Sequence, residues 1–232
     1  YFKGIIERDR TLLGKAITLI ESSLQKDKKK AFRLIDKCLP LSGNSIRIGI
    51  SGTPGVGKST FIESFGLLLT QRKHKIAVIT IDPSSSISKG SILGDKTRMK
   101  KLANSKLAFI RSSASNEELG GITKHTKDII TLCEASGFNI MLIETVGVGQ
   151  SETLIHSITD IFIYLTLVDN GDEIQFIKKG ILELTDIILI NKSDLNQKKA
   201  NQIKFLLENN IQQKDEHQSI FTCSAINGKN IK

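Results

Sequence analysis

The chain has 232 residues, of which 39% are hydrophobic and 25% are charged, and its formal net charge is +9. These proportions exclude an intrinsically disordered chain, and the length predicts one sizeable α/β domain with a small extension. No apolar run approaches the roughly 18 residues that a membrane-spanning helix needs, and no signal peptide is recognisable. We therefore expect no membrane association.

The distribution of the lysines and the spacing of the cysteines argue against a nucleic-acid-binding protein and against a disulfide-bonded or zinc-binding one. The lysines are scattered, and the one tight run, Lys28-Lys29-Lys30, has no arginine stripe or interleaved aromatics beside it, so we predict a solvated surface and no nucleic-acid partner. Cys38, Cys133 and Cys223 are odd in number and form no C-x-x-C pair, which indicates neither a disulfide framework nor a zinc site. Isolated thiols suit a reducing compartment, and a cytoplasmic location is predicted.

The first 44 residues are predicted to form a helical extension. Two apolar stripes at helical spacing, one between Ile5 and Ile20 and one between Ala31 and Cys38, predict helices. Pro40 and Gly43 then interrupt the pattern. We place the main domain at residues 45–232.

From residue 45 onward, apolar runs rich in Ile, Val and Leu alternate with helical patterns. This alternation predicts an α/β fold, with a mostly parallel sheet and helices on both faces. The predicted strands are Ser45–Ile50, Ile76–Ile81, Leu107–Ile110, Ile140–Ile143, Ile161–Leu167, Ile187–Ile190 and Ser219–Thr222. The predicted helices lie near Lys58–Arg72, Ile122–Ala135, Glu173–Leu184 and Lys198–Asn209. In such folds, ligands bind at the carboxyl ends of the strands.

A phosphate-binding loop follows the first strand. Residues 52–59 fit the pattern G-x-x-x-x-G-K-[ST] at every fixed position, between a predicted strand and a predicted helix. The glycines let backbone N–H groups surround an anion, Lys58 is predicted to reach the β- and γ-phosphates, and Ser59 to bind Mg²⁺. The predicted nucleotide-binding residues here are Gly52, Thr53, Pro54, Gly55, Val56, Gly57, Lys58, Ser59 and Thr60.

A second segment predicts which base is bound. Asn191-Lys192-Ser193-Asp194 follows an apolar strand and has the form N-K-x-D. The carboxylate of Asp194 can accept hydrogen bonds from the guanine N1–H and 2-amino groups, and adenine offers neither donor. A site built around such a polar contact rejects the wrong base by roughly 10⁴–10⁵. Asn191 is predicted to brace the loop, and the stem of Lys192 to cover one face of the base.

Acidic residues at two other strand ends predict the metal site. Asp82 ends the second strand and Glu144 ends the fourth, and a magnesium triphosphate needs oxygen ligands of this kind. Two long polar segments add Asp95, a candidate to position the attacking water or contact Mg²⁺, and Arg98, a candidate to neutralise developing phosphate charge.

Three longer segments resemble the signatures of a known family. They read ETVGVGQSE at 144–152, GSILGDKTRM at 90–99 and GDEIQFIKKG at 171–180. These segments resemble those of the methylmalonyl-CoA mutase-associated G-protein chaperones, the MeaB type, also known as ArgK or LAO/AO transport-system kinase. The resemblance runs from about residue 10 to the end of the chain.

The resemblance implies a phosphate-loop GTPase of the signal-recognition-particle-like class that uses GTP, GDP and Mg²⁺. It implies that Asp82, Asp95 and Glu144 surround the metal and water. It also implies a second base-side loop at Ser224, Ala225 and Ile226. Its implied partner is an adenosylcobalamin-dependent acyl-CoA mutase, whose cofactor loading or protection is gated by GTP. Family members continue past the position of Lys232 into helices that build a homodimer.

Two alternatives remain open on the residues. One is a metal-insertion GTPase for nickel enzymes, whose members tend to carry His-rich or paired-Cys sites, whereas His74, His125, His156 and His217 are well apart here. The other is a nucleotide-binding kinase associated with a transport system, but no protein-kinase catalytic loop is present in the sequence.

Overall fold

The apolar runs of the sequence become the strands of one parallel sheet. The computed structural model describes residues 1–82, 97–114, 119–145, 150–168, 179–211 and 218–231. Its strands are β1 Ile46–Gly52, β2 Ile76–Asp82, β3 Ala108–Ala114, β4 Ile140–Thr145, β5 Ile161–Leu167, β6 Ile187–Asn191 and β7 Ser219–Thr222. Each predicted strand corresponds to one of these, and β3 runs beyond the predicted end at Ile110.

The strand order places β1 near the middle of the sheet. The order is β3-β2-β4-β1-β5-β6-β7, and every neighbouring pair is parallel. Strands on either side of β1 therefore point their carboxyl ends to the same edge, where the order of connection reverses. Asp82, Glu144 and Asn191 all lie at that edge, beside the loop that follows Gly52.

The helices cover both faces, which confirms the predicted fold class. In chain order they are α1 Phe2–Ile6, α2 Arg10–Ile20, α3 Gln25–Cys38, α4 Lys58–Gln71, α5 Lys100–Ala103, α6 Leu119–Ala135, α7 Gln150–His156, α8 Lys179–Glu183 and α9 Gln197–Ile211. The helices α5 and α7 were not predicted, because each is too short to show a helical period. The first part of the predicted helix 173–184 lies outside the described residues, and α8 is its described remainder. None of the helices in the described ranges combines the length and apolarity that crossing a membrane would take.

The amino-terminal helices pack over one face of the sheet. Asp9 begins α2 by accepting hydrogen bonds from the N–H groups of Thr11 and Leu12, at 2.8 and 3.0 Å. The predicted stripe from Leu13 to Ile20 is buried in the same apolar cluster as α6, α7 and the facing side chains of β2 and β4. The division of the chain at residue 44 stays a prediction.

A second apolar cluster fills the opposite face. There, α4 and α5 pack on the side chains of β1, β2 and β4 that point away from the first cluster. A third, smaller cluster lies between α9 and strands β6 and β7. The two faces of β1 are thus buried, so the loop after it starts from a rigid support.

A buried carboxylate fixes the entry of the chain into β1. Glu134 on α6 accepts hydrogen bonds from Gly43 N at 2.6 Å and Ser45 Oγ at 2.5 Å. It also pairs with Arg47 Nη2 at 2.9 Å, and its side chain is 2% exposed. Because a buried charge that loses its partners is costly, this cluster holds the start of β1 against α6.

Replacing this carboxylate is expected to destabilise the fold. Glu134→Ala leaves Arg47, Ser45 and Gly43 without their acceptor, and we expect the free energy of unfolding to fall by about 3 kcal/mol. Urea titration followed by circular dichroism measures it. The matched control is Glu208→Ala on α9, which removes an exposed pair with Lys204 and should cost less than about 1 kcal/mol. Equal losses in the two variants would contradict the structural role of Glu134.

Candidate nucleotide site

The phosphate loop joins β1 to α4 and takes its shape from two glycines. Gly52 has φ 148° and Gly57 has φ 95°, a region that other residues rarely adopt. A Cβ atom on Gly52 would collide with the carbonyl oxygen of Leu165, and one on Gly57 would lie 2.8 Å from Asn191 Nδ2. The loop therefore lies tightly against β5 and the end of β6, and it leads into the amino terminus of α4, a favourable place for an anion.

Lys58 is held by the loop that it serves. It is a buried residue, and its Nζ donates hydrogen bonds to the carbonyl oxygens of Gly52 at 2.6 Å and Thr53 at 3.3 Å. These bonds keep the ammonium group over the loop, within reach of a phosphate that the loop would surround.

Opposing effects act on the charge of Lys58. Burial lowers the pKa of Lys58, the nearby carboxylates of Glu144 and Glu152 raise it, and the guanidinium of Arg98 lowers it further. The predicted residue Arg98 is exposed.

An oxygen pair suited to Mg²⁺ lies beside the loop. Ser59 Oγ, in the first turn of α4, donates a hydrogen bond to Glu144 Oε1 at 3.2 Å. A hydroxyl and a carboxylate are hard oxygen ligands, and Mg²⁺ commonly uses one or two protein ligands together with phosphate oxygens and waters. The described residues contain no group of three His, Cys, Asp or Glu side chains that could hold a metal on their own. The pair formed by Ser59 and Glu144 fits Mg²⁺ whose other ligands are phosphate oxygens and waters.

Asn191 joins the phosphate loop to the base-side loops. It is 1% exposed at the end of β6. Its Nδ2 donates to the carbonyl oxygen of Val56 at 2.9 Å, and its Oδ1 accepts from Ala225 N at 3.0 Å. The predicted bracing role thus has a defined geometry, in which one amide contacts both loops.

The other residues of the N-K-x-D segment surround a small cavity. Lys192 has φ 58°, and its Nζ donates to the carbonyl oxygen of Gly55 at 3.1 Å, so its stem passes over the phosphate loop. Asp194 is exposed at the rim. The cavity has a volume of about 70 Å³ and is lined by Gly57, Thr60, Asn191, Lys192, Asp194, Leu195, Ser224, Ala225 and Ile226.

The loop at Ser224–Ile226 is tied to the same framework. Ser64 Oγ on α4 donates to the carbonyl oxygen of Ala225 at 2.5 Å, and Ser193 N donates to the carbonyl oxygen of Cys223 at 3.0 Å. Burial raises the pKa of the Cys223 thiol to about 12, which agrees with a packing role for this residue. Both base-side loops are therefore fixed relative to α4.

The structure brings most of the predicted residues together, and two acids lie beyond what it describes. Asp82 ends β2 at the correct edge of the sheet, but its side chain is outside the described residues, and so is the whole of Asp95. Two further residues were not predicted as site residues. Leu195 lines the base cavity, and Glu152 is fully buried and accepts a hydrogen bond from Ser51, which directly precedes the phosphate loop. The signal that could have identified Leu195 is its position directly after Asp194. The signal for Glu152 is its position in the segment ETVGVGQSE.

The fold and the site define a phosphate-loop nucleotide-binding protein with a base-side loop of the guanine type. The chain matches the family model described as methylmalonyl Co-A mutase-associated GTPase MeaB over residues 13–232. The chain therefore belongs to the MeaB family, and the resemblance stated from its motifs is confirmed.

Individual relatives agree with this assignment. The chain is 52% identical over 186 residues to a probable GTPase of Mycobacterium tuberculosis (strain ATCC 25618 / H37Rv). The aligned region covers 80% of this chain and 55% of the relative. It is 43% identical over 229 residues to the GTPase ArgK of Escherichia coli (strain K12), covering 96% of this chain and 69% of the relative. A crystal structure of an LAO/AO transport system kinase matches with a TM-score of 0.84 at 34% identity, over 99% of this chain and 70% of that one. The chain thus spans about half the length of the mycobacterial relative.

The base cavity predicts a change of nucleotide preference. Asp194→Asn should weaken GDP binding by about 10²-fold, because hydrogen bonds to a charged acceptor are worth about 1.5–3 kcal/mol. The amide keeps one neutral acceptor for the guanine N1–H, but it turns its own N–H donor toward the 2-amino group. Binding of xanthosine diphosphate should improve, since an amide can donate to its 2-oxo group. Calorimetric titration measures both. The control Glu208→Gln changes the net charge equally at a distance from the cavity and should leave both affinities as in the wild type. Unchanged GDP affinity in Asp194→Asn would show that the base lies elsewhere.

Proposed function

We propose that the chain binds and hydrolyses GTP with the help of Mg²⁺. The observation that carries this proposal is the bridge through Asn191, which joins a phosphate loop to a base cavity at fixed spacing. Membership of a family described as GTPases supports it.

The proposed roles at the phosphate end of the site are the binding of the phosphates and of Mg²⁺. Lys58 exchanges the carbonyl oxygens of its own loop for phosphate oxygens, and the loop N–H groups supply the other donors. Ser59 and Glu144 would hold Mg²⁺, with Asp82 and Asp95 as further proposed ligands or water-positioning groups. The bound metal supplies charge neutralisation for the phosphates. Arg98 contributes positive charge near the loop, where it already acts on Lys58.

Base selection falls to the cavity at the other end of the site. Asp194 accepts the two hydrogen bonds that guanine offers and adenine does not. The stem of Lys192 covers one face of the base, and Ser224, Ala225 and Ile226 close the other side of the cavity. This arrangement supports GTP over ATP.

We further propose that nucleotide binding gates a partner. The family description names an association with methylmalonyl-CoA mutase, which supports an adenosylcobalamin-dependent acyl-CoA mutase whose cofactor loading or protection depends on GTP. The segments 84–99, 147–152 and 171–180 contain most of the three family signatures, and we propose that they respond to the γ-phosphate. They lie largely outside the described residues. The partner proposal therefore rests on the family.

One rival keeps support from a comparison. One matching crystal structure is named a transport system kinase, and a kinase would use the same nucleotide site. The two functions differ in the acceptor, because a GTPase transfers the γ-phosphoryl group to water and a kinase to another molecule. Release of inorganic phosphate by the purified chain favours hydrolysis.

Hydrolysis should depend on the loop lysine and on Glu144. Lys58→Ala removes a charge that stabilises the transferring phosphoryl group, and charge-stabilising groups in such reactions are worth about 10³–10⁵ in rate. We expect loss of measurable turnover in Lys58→Ala and impaired turnover in Glu144→Ala. Turnover is measured as the release of inorganic phosphate from GTP in the presence of Mg²⁺. Lys29→Ala, an exposed lysine on α3, is the control and should hydrolyse GTP normally. Wild-type turnover in Lys58→Ala would overturn the assigned site.

Mutase binding should depend on the nucleotide. A ligand shifts an equilibrium only by its differential affinity for two states, and couplings of about 1–3 kcal/mol, or about 5–150-fold, are typical. Calorimetry with a purified adenosylcobalamin-dependent mutase from the same cell should give different affinities for the GDP form and the GTP-analogue form. The mutase should change nucleotide affinity by the same factor. Equal mutase affinities for both forms would rule out gating and leave the GTPase proposal standing.

A further inference from the structure

A buried carboxylate lies beneath the phosphate loop, outside the set of predicted site residues. Glu152, on α7, is 0% exposed. Its Oε1 accepts hydrogen bonds from Ser51 Oγ at 3.2 Å and from Thr145 Oγ1 at 3.3 Å. One carboxylate oxygen therefore contacts residues from two different strands.

These two hydroxyls lie where the backbone pairing of the strands stops. The ladder between β1 and β4 ends with the pair Ile50 and Glu144. Beyond that pair, β1 continues to Gly52 along β5 only, and β4 continues to Thr145 along β2 only. Glu152 thus connects the two strands one residue past the last ladder pair.

The connected residues stand next to the two halves of the proposed site. Ser51 directly precedes Gly52, where the phosphate loop begins. Thr145 directly follows Glu144, which accepts the hydrogen bond from Ser59. Glu152 therefore links the residue before the phosphate loop to the residue after the proposed metal carboxylate.

The cost of burying this group argues against a purely space-filling role. Burial of a carboxylate costs several kcal/mol of hydration free energy, which contacts with its partners must offset. An apolar side chain of similar size often fills such a space with equal or better stability. The charge of Glu152 also reaches Lys58, where it opposes the effect of burial.

We propose that Glu152 is a positioning residue, which holds Glu144 and the phosphate loop at the spacing that Mg²⁺ and the phosphates require. This inference rests on the proposed GTPase function. Glu152 acts through Ser51 and Thr145.

The test compares metal dependence with nucleotide binding. In Glu152→Ala, we expect a rise of about 10–100-fold in the Mg²⁺ concentration that gives half of the maximal gain in GDP affinity. Loss of a residue that orients a metal ligand usually weakens metal binding by this factor. The first readout is the Mg²⁺-dependent gain in affinity for a fluorescent GDP analogue, and the second is the rate of GTP hydrolysis. Affinity for GDP in EDTA should be largely retained, because the loop N–H groups remain.

Two further variants remove one contact each. Thr145→Val keeps the shape of the side chain and deletes the hydroxyl, and Ser51→Ala deletes the other donor. We expect both to shift the Mg²⁺ dependence in the same direction as Glu152→Ala. Each should lose most of its effect when combined with Glu152→Ala, since the contact is then already absent. If Glu152→Ala does not fold, the Mg²⁺ dependence of Thr145→Val decides the question.

The control separates positioning from stability. Glu134→Ala also removes a buried, hydrogen-bonded carboxylate, but at the far end of β1. It should lose stability with an unchanged Mg²⁺ dependence. If Glu152→Ala behaves in the same way, the positioning role is overturned. Absence of GTP hydrolysis in the wild type would instead contradict the proposed function, and the Mg²⁺-dependent GDP affinity would still decide the role of Glu152.

Discussion

The site depends on one buried amide that holds two distant parts of the chain together. A nucleotide has a fixed distance between its base and its phosphates, so the loops that bind them must keep that distance. Asn191 does this between segments 135 residues apart in sequence, through its bond to the carbonyl oxygen of Val56. A buried amide group left without a partner costs about 1–3 kcal/mol. The hydrogen bonds to Val56 and Ala225 therefore oppose any change in the distance between the phosphate loop and the base-side loops.

The sheet determines where that amide can act. Strand β5 lies between β1 and β6, and its register pairs Gly52 with Leu165 on one side and Asn191 with Leu167 on the other. The missing Cβ of Gly52 lets the phosphate loop approach the Leu165 carbonyl. The missing Cβ of Gly57 lets the loop reach Asn191. Two glycines and one strand therefore set the width of the nucleotide site.

Much of this fold was predictable because its signals are local. A run such as Ile187–Ile190 shows its strand in composition alone, and the phosphate loop carries fixed residues at fixed spacing. The contacts of Asn191 and Glu152 were not predictable, because they join residues from different strands and depend on register. The helix Gln150–His156 was missed since seven residues are too few for a helical period. Asp82 and Asp95 stay predictions as metal or water ligands, because no described side-chain contact bears on them.

The charges around the loop explain why metal and nucleotide belong together. Glu144 and Glu152 lie close enough to Lys58 to raise its pKa against the effect of burial. The same carboxylates would repel the phosphates of an incoming nucleotide. Mg²⁺, which Ser59 and Glu144 would hold in the proposed function, would supply positive charge that offsets this repulsion. The amino terminus of α4 and the ammonium of Lys58 favour the anion from the other side. In the proposed function, Glu144 would therefore oppose a nucleotide that arrives without a metal and would favour the same nucleotide when Mg²⁺ accompanies it.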